Sequence, residues 1–153
     1  MQKTKIGALC KKHGIIYIVD AAQSAGIYDI KINNDNISVL CVPGHKGLYG
    51  PQGSGAAIFA DDFDFSLLSP TVFGGNGMNS AEADMGHEAP ESYEAGTPAT
   101  QCIVGLGEGL KFVKAKTTAA IREHENAIYR RVRDGLLSIP DIRVFLPSAE
   151  KGN

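Results

Sequence analysis

The chain has 153 residues, enough for one domain with a buried core, and its net charge is -2 with 21% charged residues. This balance lacks the clustered basic excess of a nucleic-acid-binding surface, so we expect no nucleic-acid partner. No apolar run reaches the length of about 18 residues that spans a membrane, so we expect no membrane span. The odd count of cysteines, Cys10, Cys41 and Cys102, in apolar contexts predicts free thiols and a cytoplasmic location.

The first third of the chain predicts one helix and three strands. Residues 6–13 carry apolar side chains at helical spacing, and Gly14 is a typical helix stop. The apolar, β-branched residues 15–19 predict a parallel strand that is buried on both faces, and residues 37–42 predict a second strand. Residues 55–60 predict a third strand. The glycine-rich loop before it is too short for a helical crossover, so we expect the last two strands to be antiparallel.

Regular signals fade over residues 61–96, which predicts a long surface loop. Thr97 then resembles a helix N-cap, with Pro98 at the first helical position. Glycine weakens a helix interior by about 1 kcal/mol, so Gly105 and Gly109 indicate tight packing against a neighbour. The buried stripe of this helix is expected to contain Ile103, Leu106, Leu110 and Val113.

Residues 116–138 predict a further amphipathic helix that ends before Pro140. Residues 142–146 then predict the start of a strand. The apolar side of the helix is expected to contain Ile121, Ile128, Val132 and Leu136.

Two runs of the sequence bring together groups with candidate chemistry. Asp20 and Gln23 follow the first predicted strand, and His45 and Lys46 lie in the glycine-dense turn after the second. Each has a simpler interpretation. An aspartate after a strand commonly caps a short helix, a glutamine there can be a polar residue at a helix N-terminus, and a lysine in a glycine loop is usually solvated. Together, however, a carboxylate, an amide, a histidine and a lysine are the groups that hold pyridoxal phosphate. The remaining histidines and the aspartates near residue 62 lack metal-ligand spacing, so no metal is expected.

The whole ordered set of motifs resembles the class V (fold type I) pyridoxal-phosphate enzymes, most closely the cysteine desulfurase and selenocysteine lyase branch. The additional matching motifs are GGNG at residues 74–77 and YEAGTP at residues 93–98. The resemblance implies a three-layer α/β/α fold with a mostly parallel sheet. It identifies residues 1–140 as the central part of the large, cofactor-binding domain and residues 141–153 as the start of a truncated C-terminal domain.

The resemblance also implies a role for each of five residues. Asp20 would keep the pyridine nitrogen protonated, and Gln23 would donate to the phenolic oxygen of the cofactor. Lys46 would bond covalently to the cofactor and shuttle the proton at the substrate α-carbon. His45 would bind the cofactor phosphate, as would Thr97 from the neighbouring subunit of a homodimer. Many relatives have serine or threonine where this chain has Pro43, so the hydroxyl that also binds the phosphate in those relatives is not expected here.

The activity implied for the parent enzyme is removal of sulfur or selenium from cysteine or selenocysteine to leave alanine, with a sulfur-acceptor protein as a further candidate partner. The alternatives are another class V aminotransferase or an epimerase, or a folded or dimerising domain without catalysis. None of the three cysteines lies where the family's catalytic cysteine stands, and the arginine that binds the substrate carboxylate lies outside this chain. We therefore expect the isolated chain to be inactive.

Overall fold

The computed structural model describes residues 2–75, 77, 85, 86 and 88–145. Short 3-10 turns occur at Phe65–Leu67 and Glu91–Tyr93. The helices and strands in these ranges are α1 (Gln2–Lys12), β1 (Ile18–Asp20), β2 (Val39–Pro43), β3 (Gly55–Phe59), α2 (Thr100–Lys116) and α3 (Thr118–Leu137). The order of elements that the sequence predicts is confirmed for the described residues up to Leu137.

The three strands form one sheet in the order β1-β2-β3. β1 lies parallel to β2, with Val19 opposite Leu40, and β3 lies antiparallel to β2, with Ala57 opposite Cys41. The predicted antiparallel pairing of the last two strands is therefore confirmed. Because β1 and β2 are parallel, the residues that follow both strands emerge at the same edge of the sheet.

The predicted burial of β1 on both faces is wrong for this chain. The strand begins at Ile18 rather than at residue 15, and Ile15, Ile16 and Ile18 are all exposed, Ile18 to 61%. The reason is topological, because within the described residues β1 has a neighbour on one side only and is an edge strand. The buried core is centred on Ala21, Ile37 and Leu40, of which Leu40 belongs to the central strand β2.

A buried carboxylate fastens α1 to the turn before β2. Asp35 is 6% exposed, and its carboxylate accepts hydrogen bonds from the ammonium of Lys3 (2.6 Å), the hydroxyl of Thr4 (2.6 Å) and the backbone N–H of Lys31 (3.2 Å). Burial by itself raises the pKa of Asp35. The hydrogen bonds and the charge of Lys3 outweigh it, so the pKa falls from 3.8 to about 2.

Acid is expected to weaken the fold through this carboxylate. Because the pKa of Asp35 is lower in the folded chain than in the unfolded chain, its stabilisation is complete above about pH 4 and is lost as the pH falls to about 2. The shift corresponds to about 2 kcal/mol of unfolding free energy. The check is denaturant unfolding at about pH 6 and at about pH 2 for the wild type and Asp35→Asn. The variant should lose less stability on acidification, and equal losses would contradict the assignment.

α2 begins later than the sequence predicts, because Thr97 is not its N-cap. The backbone of Ala99 is non-helical, and its carbonyl accepts the first helical hydrogen bonds, including one from Ile103 N–H at 3.0 Å. The first helical residue is therefore Thr100. Leu106 and Val113 are buried as predicted, whereas the other two members of the expected stripe, Ile103 and Leu110, are exposed.

A single residue separates α2 from α3. Thr117 has a φ of +69°, and its hydroxyl oxygen accepts a hydrogen bond from the backbone N–H of Ala120 (3.3 Å), which caps α3. Of the predicted apolar side of α3, Ile121 is buried. The prediction is wrong for Ile128, Val132 and Leu136, which are exposed. Residues 142–145 form no strand, and Leu146 lies outside the described residues. No helix within those residues has the length and apolarity needed to cross a membrane.

Candidate active site

Asp20 and Gln23 lie at the edge of the sheet where β1 ends. Asp20 is the last residue of β1, and its Oδ1 accepts a hydrogen bond from the backbone N–H of Ala22 at 2.8 Å. The aspartate therefore caps the following turn, whereas the simpler interpretation expected a short helix there. No second hydrogen bond to this carboxylate is formed among the described residues, so its Oδ2 is available to another group. Gln23 lies within the same turn and is exposed.

Lys46 lies on a small closed loop at the end of β2. The N–H of Gly50 donates to the carbonyl of Gly44 (2.8 Å) and closes the base of the loop, and the N–H of Tyr49 donates to the carbonyl of Lys46 (3.0 Å) within it. His45 and Lys46 both lie in this loop and are exposed. The amine thus extends from a backbone turn whose shape is fixed at two points.

The turn after β1 and the loop after β2 are in direct backbone contact. A Cβ on Gly26 would overlap the carbonyl oxygen of Gly47, and a Cβ on Gly47 would overlap the carbonyl oxygen of Ala25. Only glycine permits this approach, and Gly26 also has a φ of +84°. The contact brings the turn with Gln23 against the loop with Lys46, so four of the five predicted site residues share one edge of the sheet.

α2 supports the Lys46 loop from behind through its glycines. A Cβ on Gly109 would overlap the carbonyl oxygen of Leu48, and one on Gly105 would lie 2.9 Å from the ring of Pro51. Between these glycines, Leu106 of α2 is buried and lies against Gly50 of the loop, and Leu48 of the loop is buried as well. The tight packing that these glycines predict is confirmed, and its partner is the loop that carries the lysine.

Two aromatic residues that sequence reasoning did not single out complete this support. Tyr49 has a φ of +56°, a conformation that costs a residue with a Cβ about 1–2 kcal/mol. Its ring packs on that of Phe112 in α2, with centroids 4.9 Å apart and planes tilted by 60°. Such a pair contributes about 0.5–1.5 kcal/mol, similar in size to the backbone cost. No local signal in the sequence marks a tyrosine for left-handed backbone, so the pair could not be found before the fold was known.

Thr97 lies in the segment before α2, outside the two segments that carry the other four predicted site residues. It is exposed, and among the described residues no hydrogen bond joins it to Asp20, Gln23, His45 or Lys46. The YEAGTP motif, which contains Thr97, contacts the GGNG motif, because the N–H of Gly96 donates to the carbonyl of Gly75 at 3.1 Å. Asn76 of the GGNG motif lies outside the described residues.

A separate cavity of about 360 Å³ lies at the opposite end of β2. Its walls come from the end of α1, the turn before β2 and the segment after β3, and none of the five predicted site residues lines it. This cavity is therefore not the place where the groups with candidate chemistry meet. Among the described residues, no group of three or more histidine, cysteine or acidic side chains could hold a metal ion.

Comparison with known proteins identifies relatives of this chain by sequence and by fold. The chain is 33% identical over 140 residues to a probable cysteine desulfurase from Pyrococcus abyssi, covering 89% of this chain and 35% of that protein. The structure of a cysteine desulfurase from Thermococcus onnurineus NA1, solved in its apo form, matches with a TM-score of 0.75 at 31% identity, covering 87% of this chain and 34% of that one. A structure described as SspA in complex with cysteine matches with a TM-score of 0.55 at 34% identity, covering 71% of this chain and 27% of that one.

These matches confirm the predicted α/β class of the fold. They also show that the chain spans about a third of the length of the relatives that it matches. The family model described as Aminotransferase class-V matches residues 2–153. From its sequence and its fold alike, this chain belongs to the aminotransferase class-V family.

Proposed function

We propose that this chain is the pyridoxal-phosphate-binding segment of a cysteine desulfurase, which removes sulfur from cysteine and leaves alanine. The observation that carries the proposal is the backbone contact between Gly26 and Gly47. That contact gathers a carboxylate, an amide, an imidazole and an amine at one edge of the sheet. The names of the relatives, and the cysteine bound in one of the matching structures, support cysteine as the substrate.

The groups at this edge fit the cofactor. Asp20 has an oxygen available to a protonated ring nitrogen, Gln23 is an exposed amide donor, and His45 can donate to a phosphate. Pro43 offers no hydroxyl, so the phosphate has one contact fewer than in many relatives. Pyridoxal phosphate, when bound, supplies an electron sink for the bonds at the substrate α-carbon.

The chain's own residues then bind and move protons. The negative charge of Asp20 favours the protonated form of the group that it pairs with. The amine Nζ of Lys46 would hold the cofactor covalently, and the same amine would carry the proton at the substrate α-carbon. Lys46 is exposed in this chain. The water-free surroundings that lysine chemistry favours therefore have to come from other parts of the enzyme or from a second subunit.

We further propose that the working form is a homodimer in which Thr97 of each subunit completes the phosphate site of the other. Thr97 is exposed and forms no hydrogen bond to the other predicted site residues among the described residues, which leaves its hydroxyl accessible to a second subunit. The many exposed apolar residues favour self-association of the chain as well. Light scattering at micromolar concentration should report a dimer, and a clean monomer would contradict the proposal.

We also propose a cytoplasmic location for the protein, because its three cysteines are free thiols, which persist in a reducing compartment.

An assay of products from cysteine tests the proposed activity. The full-length protein encoded by the gene that contains this sequence should release alanine and sulfide in equal amounts in the presence of a thiol reductant. The chain alone, with added pyridoxal phosphate, should release neither above the level of the cofactor alone. The resemblance implies that the nucleophilic thiolate and the carboxylate-binding arginine come from other parts of the enzyme, and covalent catalysis and positioning each lower a barrier by several kcal/mol.

The assay also separates the rival functions. Amino-group transfer or racemisation without sulfide would indicate another class V reaction. Failure of the full-length protein to alter the visible absorption of the cofactor would favour a domain without catalysis. Sulfide from the isolated chain would show that the chemistry needs nothing beyond these residues.

A further inference from the structure

We infer that Phe112 of α2 is a positioning residue for Lys46 and acts through the ring of Tyr49. The inference rests on the proposed role of Lys46 as the amine that bonds to the cofactor. Phe112 is 43% exposed and lies outside the buried stripe of α2, so the core does not account for it. The contact described for its ring is with Tyr49.

The path from Phe112 to the lysine has two steps. The first is the ring contact, with centroids 4.9 Å apart. The second is the hydrogen bond from the backbone N–H of Tyr49 to the carbonyl of Lys46, at 3.0 Å. The next residue, Gly50, closes the loop on Gly44 at 2.8 Å. The conformation of Tyr49 therefore sets both bonds, and with them the direction in which the lysine side chain leaves the loop.

The left-handed backbone makes Tyr49 depend on its ring contact. Glycine adopts a φ of +56° freely, whereas a residue with a Cβ does not. Within residues 44–50, Tyr49 is the residue with a left-handed φ, although the loop contains glycines at other positions. The contact between the rings of Tyr49 and Phe112 offsets the backbone cost that a glycine at this position would not have. Without the anchor, Tyr49 is expected to relax toward negative φ and the loop to open.

The test measures how selectively the chain presents Lys46. The chain is treated with less than one equivalent of pyridoxal phosphate, reduced with borohydride, and mapped by peptide mass spectrometry. Phe112→Ala is expected to lower the label on Lys46 relative to that on Lys31 by about two- to tenfold. Phe112→Tyr keeps an aromatic ring and should retain the selectivity. Leu110→Ala is the matched control, since Leu110 lies on the same helix and is 45% exposed.

A second background shows whether the effect passes through Tyr49. In Tyr49→Gly the left-handed conformation needs no anchor, so adding Phe112→Ala should cause no further loss of label. Three outcomes would overturn the inference: unchanged selectivity in Phe112→Ala, an equal loss in Leu110→Ala, or a loss from Phe112→Ala that persists in the Tyr49→Gly background.

Absence of label on Lys46 in the wild-type chain would instead count against the proposed function. Amide hydrogen exchange then decides the inference without the cofactor. The N–H groups of Tyr49 and Gly50 close the loop, and both should exchange faster in Phe112→Ala by a similar two- to tenfold factor, but not in Leu110→Ala. Equal protection in the two variants would overturn it.

Discussion

Gly109→Ala is expected to lower the free energy of unfolding by about 3 kcal/mol, the upper part of the range for overpacked sites. The added methyl would overlap the carbonyl oxygen of Leu48 and lie 2.7 Å from the carbonyl carbon of Tyr49 and 2.9 Å from the nitrogen of Gly50. All three are backbone atoms of the Lys46 loop, so none can rotate away. Either α2 or the loop has to move.

Gly107→Ala is the control for this substitution. Gly107 lies two residues earlier in α2, and a Cβ there would meet nothing within 4 Å. Since alanine is favoured over glycine in a helix interior, this variant should gain about 1 kcal/mol. Denaturant unfolding measures the change in the free energy of unfolding of each variant, and the m-values should be unchanged. Equal shifts in the two variants would mean that helix propensity, and not the contact with the loop, governs these glycines.

Lys46→Ala is expected to abolish the specific covalent attachment of pyridoxal phosphate while leaving the fold intact. The side chain is exposed and, among the described residues, makes no hydrogen bond or ion pair that supports the structure. The amine is nevertheless the only group of the loop that can bond to an aldehyde in this way. Borohydride reduction and peptide mapping should show the label on Lys46 in the wild type and no dominant site in the variant.

Lys31→Ala provides the comparison, because Lys31 is also an exposed lysine, 62% by side chain. It should leave the labelling of Lys46 unchanged. A dominant label on Lys3, Lys5, Lys11 or Lys12 in the wild-type chain would remove the basis for assigning the cofactor to Lys46. Circular dichroism of both variants separates a loss of attachment from a loss of fold.

The sequence predicts the order of the elements well because their signals are local. The apolar run before Asp20 and the glycines around Lys46 each specify a short segment, and the short connection before Gly55 excludes a parallel pair. The prediction of tight packing at Gly105 and Gly109 also succeeds, since glycine in a helix interior has a cost that only close contact offsets.

The errors concern what covers each element. Ile18, Ile103 and Val132 have the apolar character of buried residues, yet all three are exposed in this chain. An apolar pattern indicates that a face is suited to burial, and whether a neighbour is present depends on the rest of the fold. The start of α2 was missed for a different reason: Thr97 and Pro98 are favourable N-terminal residues, but the carbonyl of Ala99 accepts the first helical hydrogen bonds.

The candidate site likewise has a part that local motifs predict and a part that depends on the fold. Asp20, Gln23, His45 and Lys46 could be predicted because two short motifs contain them. Their proximity depends on the contact between Gly26 and Gly47, which no local pattern reveals. The aromatic support from Phe112 joins distant parts of the chain and likewise requires the fold.

The connection that carries Lys46 joins two antiparallel neighbours, β2 and β3, with Pro43 opposite Gly55 at its base. Contacts between residues close in sequence form fastest, because little chain entropy is lost in closing a short loop. The parallel pairing of β1 with β2 encloses a longer segment and should form later. We therefore expect the lysine-bearing turn to be among the first parts of the chain to fold, with the carboxylate of Asp20 joining it afterwards.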